Sequence, residues 1–378
     1  MMVENLRDYE DWARACMHVR CGLCRENCPA YSQFKLDSYS AKGKLTMLYH
    51  WLKGNLTPDD IMAERVFACT SCGLCDIACG YPQSSAIQDM KNALFEAEIL
   101  PSKEYTYISE RTKEYGNPYG EITADAEKIL ESIPESSAQN PDYLLFFGCT
   151  EIFRGDEQRS SVLKVLRSSG VSFRVITENV CCGSPAYRVG DIELARRQAV
   201  QIREMVQNSK IDQVVASCSG CYRTFTHDFE HLLNEEPGFT TIHTVQLIDS
   251  LIEQGRLNLK PLDAVITYHD PCHLGRHSGI YDEPRRVIMA IPGVKFVDME
   301  WNRKFSKCCG AGGGLRSVRG NDAKEIASRR VREAESTGAS IIATACPFCL
   351  RNLQDGAELI GSPIRLVTIE SLVAELIE

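Results

Sequence analysis

Residues 181–191 read CCGSPAYRVGD, and the adjacent cysteine pair with its glycine returns in CCGAGGG at 308–314. Working outward from the first pair, FGCT stands upstream at 147–150 and CSGCYRTF downstream at 218–225. Around the second pair, HDPCHLGRH occupies 269–277 and CPFC 346–349. The offsets between the two sets are 123 residues at the first cysteine, 127 at the pair and 128 at the closing CxxC. A five-cysteine spacing repeated with so little drift marks an internal duplication.

The chain around both sets alternates strands with helices. Tyr143–Phe147, Val171–Ile176 and Val214–Ala216 read as buried strands, and Ala264–Tyr268, Lys295–Val297, Ile341–Ala343 and Ile364–Val367 form a second series. Between strands of the first series, Ile192, Ala195, Ala199, Ile202 and Val206 share one helical face. Such alternation predicts α/β units on largely parallel sheets. Residues 116–141 are rich in turn residues and poor in apolar ones, and separate a first region, 1–115, from units at 142–260 and 261–378. The first region reads as mainly helical, with helices over 40–53 and 84–98. The whole is α+β: a helical domain followed by a duplicated α/β domain.

A net charge of −9 argues against nucleic acid as the main partner. No apolar run approaches the roughly 18 residues a bilayer span needs, and the N-terminus carries no signal-peptide pattern. The expected location is therefore the cytoplasm, with membrane association only through a partner. With eighteen cysteines in a chain too large to need a disulfide framework, metal or redox chemistry is the expectation.

In the N-terminal region, Cys69, Cys72, Cys75 and Cys79 form CxxCxxCxxxC, the bacterial ferredoxin run. Glycine follows its last cysteine where proline is usual, and Pro82 comes two residues later. An earlier run holds Cys21, Cys24 and Cys28 before Pro29, but its expected leading position is His18, with Cys16 two residues upstream. Thiolate is the standard donor for [4Fe–4S] cubes, which favours Cys16 over His18. The fourth cysteine of each run ligates the other cluster in such proteins. That rule groups Cys16, Cys21, Cys24 and Cys79 at one cube and Cys28, Cys69, Cys72 and Cys75 at the other. Structural zinc at paired CxxC units is the alternative.

The duplicated segments FGCT, CCGSPAYRVGD and CSGCYRTF, then HDPCHLGRH, CCGAGGG and CPFC, resemble the two CCG domains of the heterodisulfide reductase catalytic subunit. CGLCRENCPAY and CTSCGLCDIAC resemble that enzyme's ferredoxin-like subunit, so the chain is similar to the form in which both parts are fused. The resemblance implies a noncubane [4Fe–4S] cluster in each CCG domain, with a disulfide cleaved reductively between them. It assigns Cys149, Cys181, Cys182, Cys218 and Cys221 to one noncubane cluster, and Cys272, Cys308, Cys309, Cys346 and Cys349 to the other. The pairs Cys181/Cys182 and Cys308/Cys309 become the catalytic cysteines. Two sets of four and two of five account for all eighteen cysteines.

Two functions follow. One is a disulfide reductase, fed by a flavoprotein, a ferredoxin or a membrane cytochrome. The other is an electron-transfer subunit of a larger flavin-, quinone- or aromatic-ring-reducing complex, in which the CCG sites only relay electrons. His269, His273 and His277 offer a proton donor, or hydrogen bonds to loop backbone or cluster sulfur. Gly310, Gly312, Gly313 and Gly314 lack the strand–turn–helix setting of a phosphate loop and are expected to let the chain fold tightly round a cluster.

Overall fold

A computed structural model describes residues 4–19, 21–134 and 140–378. Its N-terminal region packs the helices Glu10–His18, Ala41–Leu52, Asp60–Phe67 and Gln83–Glu96 about Leu45, Leu48, Val66, Phe67, Met90 and Leu94. Two of these helices begin where a side chain satisfies a free backbone N–H: Ser40 accepts from Gly43 at 3.1 Å and Asp59 from Met62 at 2.8 Å. Cys16 and His18 both lie on the first helix, which His18 ends. Within 116–141, Thr123–Glu131 is a helix with Ala126 and Leu130 buried, and residues 135–139 lie outside the described residues.

The two α/β units share one topology. Strands β1 (Tyr143–Phe146), β2 (Phe173–Val175), β3 (Gln213–Ala216) and β4 (Thr240–His243) form one parallel sheet in the order β2-β1-β3-β4. Strands β5 (Ala264–His269), β6 (Val294–Phe296), β7 (Ile341–Thr344) and β8 (Arg365–Thr368) form a second in the order β6-β5-β7-β8. Seven of these strands match the expected series within two residues at either end. The eighth, β4, has no buried apolar run to announce it: its sequence is TTIH and only His243 is fully buried. Helix Ile192–Ser209 buries Ala195, Ala199, Ile202 and Val206 as its periodicity predicts.

In each unit the chain leaves the middle of the sheet in both directions, which opens a crevice beyond the carboxyl ends of the strands. The cysteines occupy that edge. Cys149 follows β1, Cys218 caps the short helix after β3, and Cys181–Cys182 lie in the loop after β2. Cys272, Cys346 and Cys308–Cys309 hold the same places after β5, β7 and β6. Gly183 and Gly310, following the two pairs, have φ of +89° and +90°, a turn that a side chain would strain.

The N-terminal region is seated on both units. Lys91, fully buried, donates to the carbonyls of Cys69 (2.7 Å), Arg188 (3.3 Å) and Gly313 (3.2 Å), one from each of the three parts. Arg276 donates to Cys72 O at 2.8 Å and Gln88 to Tyr187 O at 2.6 Å. Beyond the tight turn at Gly310, the glycine run has a second role. A Cβ at Gly312 or Gly313 would run into the carbonyls of Thr70 or Cys69, and one at Gly314 would stand 2.8 Å from Val189. These glycines let the second unit press against the backbone of the dicluster region. Gly313→Ala, at φ +66°, is expected to cost about 2 kcal/mol or more, read as a lowered Tm of the iron-loaded protein.

Among the described residues, no helix is long and apolar enough to cross a membrane.

Candidate iron–sulfur centres and the cavity between them

No disulfide joins any of the eighteen cysteines, all of which are among the described residues, and the fold gathers them into a few groups. Cys16 sits against Cys24, Cys79 and Cys21, and burial pushes its thiol up to about 11. Cys28 sits with Cys69 and Cys72, and Cys75 with Cys69, Cys72 and Cys28; burial pushes both thiols up. Cys24 neighbours Cys28 as well as Cys79 and Cys21, so the two expected groups lie side by side and touch there. Cys21 and Cys79, in the first group, reach the surface.

In the first α/β unit Cys149, Cys181, Cys182, Cys221 and Cys218 interact in succession, each thiol with the next. The second unit links Cys272, Cys308, Cys309, Cys349 and Cys346 in the same order. Cys309 and Cys349 are 3.3 Å apart. Hydrogen bonds from neighbouring thiols hold Cys181, Cys309 and Cys346 well below the usual thiol range. Their hydrogen-bond partners Cys149, Cys308 and Cys349 are pushed well above it. Each group thus shares its protons internally, and metal binding would release them. Soft, buried, thiol-only donor sets of this size suit iron–sulfur clusters.

The groups also touch one another. Cys72 of the dicluster region lies within hydrogen-bonding reach of Cys308, and Cys218 of the first unit within reach of Cys346 of the second. A single cavity of about 450 Å³ runs between the units, lined by nine of their ten cysteines, all but Cys181. Its remaining wall includes Arg111, Arg154, Arg316 and Arg351 with Tyr107 and Tyr119. Arg154 pairs with Glu121 and Arg316 with Asp355. Arg351 instead reaches the Tyr119 hydroxyl at 3.2 Å, and Arg111 lies over the Tyr107 ring. Neither has a carboxylate partner among the described residues, which leaves two cations available to an anionic ligand.

The three histidines separate into different roles. His277 Nε2 lies 3.3 Å from Ser71 O and belongs to the seam with the dicluster region. His273 lines the cavity, its ring 5.6 Å from that of His277. Burial, with Arg223 and Arg188 nearby, holds its imidazole well below the usual range. His269 stands at the end of β5 beside Cys309 and Cys349.

Sequence reasoning missed several buried groups. Glu151 accepts from Gly148 N at 3.1 Å and from the Ser217 hydroxyl, and burial pushes its carboxyl up to about 8. Burial pulls Lys91 down to about 8 and His243 to about 4. The one available signal for Glu151 was its place as third residue of the helix that Cys149 opens, where a carboxylate satisfies the helix entry.

The comparisons with known proteins agree with this geometry. The cysteine-rich CCG domain matches twice, at 143–226 and 266–354, and the 4Fe–4S dicluster domain matches 12–81. A dihydromethanophenazine:CoB–CoM heterodisulfide reductase subunit from Methanosarcina barkeri is 33% identical, covering 94% of this chain and 92% of that protein. EtfAB:quinone oxidoreductase from Syntrophomonas wolfei is 27% identical, covering 94% of this chain and 57% of that protein. A crystal structure of a hypothetical protein from Helicobacter pylori shares the fold, with a TM-score of 0.62 over 99% of this chain and 76% of that one at 11% identity. Thiol groups at the strand ends, two matched domain types and near-full-length similarity lead to one assignment: the chain is an iron–sulfur oxidoreductase belonging to the family of that heterodisulfide reductase subunit.

Proposed function

We propose that the chain reduces a disulfide bearing at least one anionic group, bound in the cavity between the two α/β units. One observation carries this reading: the two five-cysteine sets face a single cavity and meet at Cys218 and Cys346. Cys16, Cys21, Cys24 and Cys79 would hold one cubane cluster, and Cys28, Cys69, Cys72 and Cys75 the other. Cys149, Cys181, Cys182, Cys218 and Cys221 would hold one noncubane cluster, and Cys272, Cys308, Cys309, Cys346 and Cys349 the second. When bound, the clusters supply one-electron storage and a thiophilic iron surface.

The chain's own residues do the rest. Arg351 and Arg111 hold the anionic end of the disulfide, and Tyr119 orients Arg351. The seam built on Lys91 and Arg276 keeps Cys72 against Cys308. Cleavage of one disulfide takes two electrons and two protons and leaves two thiols. The electrons come from a partner redox protein, a flavoprotein, ferredoxin or membrane cytochrome, docking where Cys21 and Cys79 reach the surface. The site of action is the cytoplasm, at the membrane only if the partner resides there.

The test is thiol release by the anaerobic, dithionite-reduced protein from an anionic and from a neutral disulfide of similar size. Turnover of the anionic compound alone is expected, and Arg351→Gln is expected to raise its KM about tenfold while leaving kcat within about twofold. Absence of turnover with every disulfide would favour the relay reading instead.

The assignment of the first cubane has its own check. Cys16→Ala is expected to remove about four irons, and His18→Ala none. Iron lost on His18→Ala and kept on Cys16→Ala would reverse the choice.

A further inference from the structure

The two α/β units follow one chain path but set different side chains against their thiols. Phe146 ends β1 in register with Ala216 of β3, three residues before Cys149. His269 ends β5 in register with Thr344 of β7, three residues before Cys272, and is its counterpart. On the helices that follow the cysteine pairs, Gly183 approaches Ala195 and Gly310 approaches Ala323. Seven residues beyond those alanines stand Ile202 and Arg330, which are therefore counterparts too. All four side chains are buried: Phe146 is 2% exposed, Ile202 1%, His269 1% and Arg330 2%. Where the first unit has two hydrocarbon groups, the second has an imidazole and a guanidinium.

Such a replacement is costly unless every polar atom finds a partner. Arg330 is fully engaged: Nη1 donates to Glu333 Oε2 at 2.7 Å, Nη2 to Ser306 Oγ at 3.2 Å and Nε to His269 Nδ1 at 3.2 Å. A guanidinium only donates, so His269 Nδ1 accepts and the ring proton resides on Nε2. That Nε2 meets no partner at good hydrogen-bond geometry, and the group it interacts with is the thiol of Cys309. A ring nitrogen of His269 and the sulfurs of Cys309 and Cys349 lie within 4.8 Å of one another. A buried imidazole N–H backed by a guanidinium is thus held beside the thiols of the second unit, whereas the side chain that meets a thiol of the first is the neutral amide of Gln198, at Cys181.

We propose that His269, positioned by Arg330, donates a hydrogen bond to cluster-bound sulfur in the second unit and makes that unit's cluster easier to reduce than the first unit's. This rests on the reading that each unit holds a cluster. Hydrogen bonds to the sulfurs stabilise the more negative, reduced state and raise the reduction potential. The permanent charge of Arg330 acts in the same direction. Phe146 and Ile202 keep the corresponding place in the first unit apolar, and Gln198, which meets Cys181 there, brings a dipole but no charge to offset added negative charge. The second unit is also the one whose Cys308 meets Cys72 of the dicluster region. The asymmetry gives the duplicated site a direction, with electrons settling first where they enter.

The test is an anaerobic redox titration of the iron-loaded chain followed by EPR, with iron and sulfide counted in every sample. The midpoint of the second unit is identified as the one missing from Cys309→Ala. His269→Phe, which copies the first unit, is expected to lower the equilibrium constant for reduction at that midpoint about tenfold, a shift of about 59 mV for one electron. The other midpoints and the iron content should stay unchanged. His269→Gln, which keeps an N–H, should restore the midpoint to within about threefold of wild type. Unchanged midpoints with full iron would overturn the proposal, and iron lost selectively from the second unit would overturn it by making His269 a ligand. Should His269→Phe fail to fold, Arg330→Met decides, because it frees Nδ1 while retaining the imidazole. A fall in the same midpoint supports the proposal, and no change overturns it. A wild-type protein carrying no cluster in either unit would instead refute the underlying reading.

Discussion

Cys309→Ala is expected to reduce disulfide turnover to background while leaving the dicluster region able to take up electrons. Cys309 lies at the middle of the second unit's succession of thiols, next to Cys308 and 3.3 Å from Cys349. Asn352 donates to its carbonyl at 2.6 Å, which fixes the backbone as well as the sulfur. Removing the central sulfur leaves the remaining thiols of that set without the one that joins Cys308 to Cys349. The iron count should fall by about four, with the cubane signals retained in the reduced protein. Thiol release from the anionic disulfide, assayed with dithionite, reads the loss. Turnover retained at a comparable rate would remove the second unit from the chemistry.

Lys91→Met is expected to destabilise the chain by about 3–5 kcal/mol, seen as a Tm lower by about 5 °C in the iron-loaded protein. Methionine keeps the volume and the apolar stem but abandons the carbonyls of Cys69, Arg188 and Gly313. Those three acceptors are enclosed where the dicluster region meets both units, so water cannot readily replace the ammonium. The cost therefore falls on the seam. Limited proteolysis should detect it as early cleavage between the dicluster region and the first unit. A variant with unchanged Tm and unchanged digestion would show that the three parts hold together without this lysine.

The features legible in the sequence were those with a repeated or periodic signature. The thiol spacing revealed the duplication, because a metal site constrains residue type and interval together. Buried parallel strands such as Ile341–Thr344 announced themselves as apolar runs, and helix Ile192–Ser209 by its buried stripe. Edge strand β4 did not, since TTIH carries little apolar surface and is set by pairing with β3. The repeat itself demanded a fourth strand in the first unit, opposite the one expected at 364–367, and that signal was available. The seam was not legible. Lys91 reads as an ordinary helix lysine until its three carbonyl partners, from parts of the chain 22, 97 and 222 residues away, are brought to it. The glycines of 310–314 could be recognised as permissive, but what they approach depends on long-range docking. The difference between His269 and Phe146 was present in the sequence as well. Only the shared strand register shows that the two occupy one position.

The most direct test is EPR of the anaerobic chain, oxidised in the presence and absence of a thiol product of the anionic disulfide, with iron and sulfide measured on the same sample. Disulfide chemistry at the shared cavity predicts about sixteen irons and a paramagnetic signal that appears only with the thiol and broadens when the thiol carries ³³S. Full iron content with ordinary reduced-cube signals alone, indifferent to thiol, would contradict it and make the chain a relay for another protein's reaction.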